Sequence, residues 1–99
     1  MKFELKTTDE TARTLAKRMK ELRLQKKWKR ATLADRSGVS ESSLRRFEQS
    51  ARISLANLLK LMSALGRLDE MDKILQPPAV KSIGDLEMRK QKLPKRGSI

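Results

Sequence analysis

Apolar residues recur at three- and four-residue spacing near the start of the chain. Ala12, Leu15, Ala16, Met19 and Leu22 make one stripe, the period of a helix with one buried side. Thr8 or Asp9 can cap it, and it runs to about Lys26. Asp9 and Glu10 in its first turn, with Lys26 and Lys27 at its end, suit the helix dipole. Before it, Phe3 and Leu5 alternate with Lys2, Glu4 and Lys6. A period of two predicts a short extended segment over residues 1–8. So short a strand needs a pairing partner, and a second subunit can supply one.

The stripe breaks after Lys27. Ala31, Leu33 and Ala34 lead to Ser37-Gly38-Val39-Ser40, in which Gly38 fits a helix C-terminus and Ser40 the cap of the next helix. That helix, about Glu41 to Gln49, buries Leu44 and Phe47. Ser54 caps a fourth, with Leu55, Leu58, Leu59, Met62 and Leu65 as its apolar face and Gly66 as its stop. A short fifth helix from about Leu68 to Leu75 offers Leu68, Met71, Ile74 and Leu75. Pro77-Pro78 ends the packed part. The pattern predicts an all-α fold: an extended segment (1–8), a five-helix domain (9–76) and a tail (77–99). Within the tail Ser82 can cap a short helix holding Ile83, Leu86 and Met88. Arg89, Lys90, Lys92, Lys95 and Arg96 then follow with no acid among them, a composition expected to be flexible.

Composition narrows the chemistry. The 99 residues include 24 Lys or Arg and 12 Asp or Glu, a formal charge of +12. A polyanionic partner is implied: nucleic acid, an anionic membrane surface or an acidic protein. There is no Cys and no His. Disulfide scaffolds, Cys/His zinc sites, thiol catalysis and His-dependent triads are thereby excluded. No apolar run approaches the length of a membrane span, and the N-terminus lacks a secretory apolar stretch. A cytoplasmic, nucleoid-associated protein is expected. Asp69, Glu70 and Asp72 point different ways around a helix end, so no metal is assigned. No catalytic residue or cofactor is assigned either. Met19, Met62 and Met71 fit the core stripes, and Trp28 reads as a core plug.

Three demands converge on Trp28–Glu48. Ala34 is small where two helices cross, Gly38 permits the turn, and Val39, Leu44 and Phe47 anchor the second helix. Its opposite side must then project outward, which describes a helix-turn-helix presented to the DNA major groove. At about 100° per residue, Ser42, Arg45, Arg46 and Gln49 lie opposite Leu44 and Phe47, with Glu41 at the flank. Glu41, Ser42, Ser43, Arg45 and Arg46 are the expected base contacts: Glu or Ser can accept from cytosine N4, and Arg favours guanine O6 and N7. Lys29, Arg30, Thr32, Ser40, Arg52 and Ser54 are the expected phosphate contacts.

The run W-K-R-A-T-L-A-D-R-S-G-V-S-E-S-S-L-R-R-F-E closely resembles the Cro/phage-repressor-like helix-turn-helix family. The stretch from Ser54-Leu55 to Ala64-Leu65-Gly66 fits as well, so the likeness covers roughly residues 9–75. It implies a five-helix domain that dimerises and binds operator DNA. It also implies a structural ion pair between Glu48 and Arg23, late in the first helix. Arg30 stands where the family usually has a phosphate-binding Gln. A dimer interface is expected from Leu68, Met71, Ile74 and Leu75, aided by Phe3 and Leu5. Leu68-Asp69-Glu70-Met71, the Ile83–Met88 element and the basic tail after Pro77-Pro78 look like HipB-type antitoxins. That likeness implies a repressor of its own operon that partners a HipA-like serine/threonine kinase toxin or split toxin components. The alternatives are a stand-alone phage-type repressor and, from another class, a basic RNA-binding or ribosome-associated protein.

Overall fold

Four α-helices and a closing 3₁₀ helix make up the fold in a computed structural model that describes residues 6–79, 83–84, 87 and 93–99. Helix α1 spans Thr8–Gln25. Its cap is Thr7, whose Oγ1 accepts from the Glu10 N–H at 3.1 Å. The start therefore lies just before the expected Thr8 or Asp9, and the extended segment cannot reach residue 8. Lys6 and Thr7 are in no strand, and Phe3 and Leu5 lie outside the described residues.

Helix α2 spans Arg30–Ser37, α3 Glu41–Ser50 and α4 Leu55–Ala64. Gly38 takes φ +78° at the end of α2, a left-handed conformation that costs a side-chain-bearing residue about 1 kcal/mol or more. Two residues later Ser40 caps α3, its Oγ accepting from the Ser43 N–H at 3.1 Å. Ser54 caps α4 in the same way, accepting from the Asn57 N–H.

The core draws on every α-helix: Ala16 and Met19 from α1, Leu33 from α2, Leu44 and Phe47 from α3, and Leu61 from α4, with Val39 from the turn and Leu65 from the C-cap of α4. Leu33, Leu44 and Leu61 are fully buried, each worth about 1.5–3 kcal/mol of transfer free energy. The apolar face expected for α4 needs correction. Leu61 is its centre, while Leu55 is 64% exposed. Measured around the helix from Leu61, Leu65 lies roughly 40° and Leu58 roughly 60° away, but Leu55 falls at about 120° and Leu59 at about 160°.

The fifth helix also differs from expectation. It is a 3₁₀ helix, Leu68–Lys73. Ile74 is already extended, and Leu75 has φ +59° and is 96% exposed. Gly66 at φ +72° breaks the chain on one side. On the other, Pro77 biases the residue before it away from helix, which leaves room for little more than two tight turns. Met71 is half-buried, whereas Leu68 and Ile74 are exposed. In the tail, Ile83, Gly84 and Glu87 have helical backbone conformation and Lys95 and Arg96 are exposed. Ser82, Leu86, Met88, Arg89, Lys90 and Lys92 lie outside the described residues. No described helix is long and apolar enough to cross a membrane.

Candidate nucleic-acid interface

Burial of Leu44 and Phe47 fixes which side of α3 looks outward. Glu41, Ser42, Arg45, Arg46 and Gln49 are exposed there, and Ser43 is half-buried. Around these residues run two shallow depressions. One is lined by Ser42, Arg45, Arg46, Gln49, Ser50 and Arg52, the other by Ser43, Arg46, Arg52, Ile53, Ser54 and Asn57. Arg46 and Arg52 belong to both. Of the residues read as DNA contacts, Ser42, Ser43, Arg45, Arg46, Arg52 and Ser54 thus share one continuous surface.

The hydroxyls at the start of α3 are interlinked. Ser40 Oγ donates to Ser43 Oγ at 2.8 Å and lies 3.2 Å from Ser42 Oγ. Capping and this network occupy the Ser40 hydroxyl; Ser40 and Ser42 are exposed and Ser43 is half-buried. Glu41 and Arg45 form an exposed ion pair at 3.6 Å, weak enough for an incoming base or phosphate to displace. Gln49, Ser50 and Asn57 also line the surface but were not among the expected contacts. The wheel already placed Gln49 outward; Asn57 becomes visible only once α4 is docked beside α3.

Lys29, Arg30 and Thr32 sit at the start of α2, where Lys29 provides no side-chain cap. Arg30 reaches inward as well as outward. Its Nε donates to Glu48 Oε1 at 2.9 Å, and its side chain remains one-third exposed. Arg23 holds the same carboxylate through Nε to Oε2 at 2.8 Å and Nη2 to Oε1 at 3.1 Å. Its Nη1 donates to the Trp28 carbonyl at 2.8 Å. The Glu48 side chain is 1% exposed. Burial alone would push its carboxyl up, but the hydrogen bonds and charges of Arg23 and Arg30 outweigh it and hold the group below the ordinary glutamate value. A single carboxylate therefore ties α1, α2 and α3 together.

Trp28 is half-buried against the core. The Arg36 guanidinium lies 4.6 Å and Lys26 Nζ 5.2 Å from its ring centroid, cation–π distances. Among the described residues no group of three or more His, Cys, Asp or Glu is placed to hold a metal ion.

A helix clamped by core residues on one side, carrying arginines on the other and preceded by a glycine turn, is the arrangement of a helix-turn-helix DNA-binding protein. The family model described as helix-turn-helix matches residues 19–71, just over half of the chain. The chain belongs to this family, in its Cro/phage-repressor type, and is a DNA-binding regulator. No curated protein matches it, and no solved structure does.

Proposed function

We propose that the protein is a transcriptional repressor that reads operator DNA as a homodimer through α3. The observation that carries this reading is the exposed arc of Glu41, Ser42, Arg45 and Arg46, held by a core-anchored helix and continuous with Arg52. Glu41, Ser42, Ser43, Arg45 and Arg46 contact base edges in this reading. Lys29, Arg30, Thr32, Ser40, Arg52 and Ser54 contact phosphates. The charge of +12 supplies affinity and its salt dependence. The cytoplasm, on the nucleoid, is the place for such a protein.

The finer role we assign is antitoxin to a HipA-like serine/threonine kinase, with repression of the shared operon. It rests on the sequence likeness of the region from Leu68 onward to HipB-type chains. A neighbouring reading frame for such a kinase, whose product co-purifies with this chain on DNA, is the expected finding. Its absence returns the reading to a stand-alone phage-type repressor.

DNA readout is tested by enriching duplexes from a randomised pool with the wild-type protein. The enriched duplex and a scrambled version are then titrated at two salt concentrations. A preference of about a thousandfold is expected. Equal binding to both duplexes, with tighter binding to a structured RNA, would establish the RNA-binding alternative instead.

A further inference from the structure

Arg30 is one of two arginines on a single buried carboxylate, and the two are not equivalent. Arg23 is 6% exposed and uses Nε, Nη1 and Nη2 on Glu48 and the Trp28 carbonyl. Arg30 is 33% exposed and uses only Nε. Its two Nη groups have no protein partner among the described residues. Two guanidinium groups against one carboxylate leave a net positive charge at the start of α2, and Arg30 carries it outward.

We propose that Arg30 is a two-ended positioning residue. Its Nε end holds α3 in place through Glu48, and its Nη end takes a backbone phosphate of the DNA. Backbone grip and the seating of the reading helix are thereby one linked event. The proposal rests on the reading of α3 as the DNA-reading helix.

The geometry behind it is specific to arginine. A guanidinium is a rigid planar fork whose Nε–H and Nη–H groups point in different directions, so one side chain can hold two acceptors at once. Arg30 is the first residue of α2 and Glu48 lies in the second half of α3. Their bond therefore spans the two helices whose relative angle decides how α3 lies in the groove. Arg23 reaches Glu48 from α1, and its hydrogen bonds go to Glu48 and the Trp28 carbonyl, not to α2. A lysine at position 30 would keep the charge, but its three N–H donors share one nitrogen on a flexible stem, so it lacks the rigid fork that holds two acceptors apart.

A residue that merely gripped phosphate would weaken binding to every duplex alike. A two-ended residue must also affect discrimination. The test measures wild type, Arg30→Lys, Glu48→Gln and Arg46→Ala on the enriched and scrambled duplexes at two salt concentrations. Circular dichroism and a thermal melt accompany each variant. For Arg30→Lys we expect weaker binding to both duplexes, with the ratio of enriched to scrambled affinity falling about tenfold. Glu48→Gln should lose discrimination too, and the double variant should lose no more than the worse single one. Should Glu48→Gln not fold, Arg30→Lys decides alone, since it keeps the charge at a partly exposed site.

The proposal is overturned if Arg30→Lys leaves the ratio of the two affinities intact, or lowers both affinities equally. Arg46→Ala separates this from the reading beneath it. If that variant loses discrimination at one base pair while Arg30→Lys loses none, only the role of Arg30 fails. If wild type enriches no duplex, the DNA reading fails and this role fails with it.

Discussion

Arg23 and Glu48 are 25 positions apart and share two hydrogen bonds, at 2.8 and 3.1 Å, through side chains almost wholly removed from water. Removing one partner strands a charge. Glu48→Ala leaves two guanidinium groups facing each other without their carboxylate, at a cost of about 3–5 kcal/mol. The urea midpoint should fall accordingly. A drop below about 1 kcal/mol would mean that the pair behaves like an exposed one.

The same carboxylate makes stability depend on acid. Its folded pKa lies below that of a glutamate in the unfolded chain, about 4.3. Between the two values the unfolded chain binds more protons, so stability falls as pH falls. The contribution is complete above the unfolded value and is gone once pH has dropped through the folded one. Urea midpoints from about pH 7 to about pH 3 should show wild type losing its advantage over Glu48→Gln in that acidic window. A gap constant with pH would contradict this assignment.

Gly38 isolates a backbone cost. No atom lies within 4 Å of where a Cβ would stand, yet φ is +78°. Gly38→Ala should therefore destabilise through conformation alone, by about 1 kcal/mol. Gly38→Asn should cost less, because Asn tolerates the left-handed region. Equal losses for the two would point to a cause outside the backbone.

Local signals were strongest where one residue decides a conformation. Ser40, Ser54 and Gly38 announce their caps and turn from side-chain chemistry alone, and α3 follows from Leu44 and Phe47. Signals were weakest where packing decides. Leu55 and Leu61 are the same residue type on one leucine-rich helix, and only the docking of α4 selects Leu61 for the core. Position 30 reads from sequence as a phosphate contact. That its Nε turns toward Glu48 depends on the crossing of α2 and α3, which no spacing along the chain encodes. The fifth element is a 3₁₀ helix where the spacing predicts an α-helix, because four apolar residues at helical spacing say nothing of the room left between Gly66 and Pro77.

Arg46 and Arg52 line the same two depressions from different elements, which separates base readout from charge. Arg46 projects from α3, and Arg52 from the loop after it. Arg46→Ala should relax preference at one base pair per half-site, by about 1–3 kcal/mol. Arg52→Ala should weaken all duplexes alike and make the salt slope shallower by about one. Duplex re-enrichment with each variant checks both outcomes. A shifted consensus for Arg52→Ala and none for Arg46→Ala would reverse their roles.

A groove between α1, α4 and the 3₁₀ helix is lined by apolar side chains that include Leu15, Leu22, Leu58, Met62, Met71 and Ile74. Beside it Leu75 stands 96% exposed on a left-handed turn. An apolar hollow and, next to its lining residue Ile74 in the chain, an exposed leucine are the kind of features a self-complementary two-fold contact uses. Burying one such aliphatic side chain contributes about 1.5–3 kcal/mol, or roughly one to two orders of magnitude in dimer affinity. Each substitution occurs twice in a two-fold dimer, so Ile74→Asp and Leu75→Asp should each weaken it by roughly two to four orders of magnitude in light scattering across concentrations. Both residues are exposed in the protomer, so its melting temperature, read at dilutions where wild type is monomeric, should barely move. Affinity for a two-fold DNA site should fall while affinity for a half-site holds. Full-length protein that stays monomeric at micromolar concentration, or a half-site that weakens equally, would remove this groove as the subunit contact.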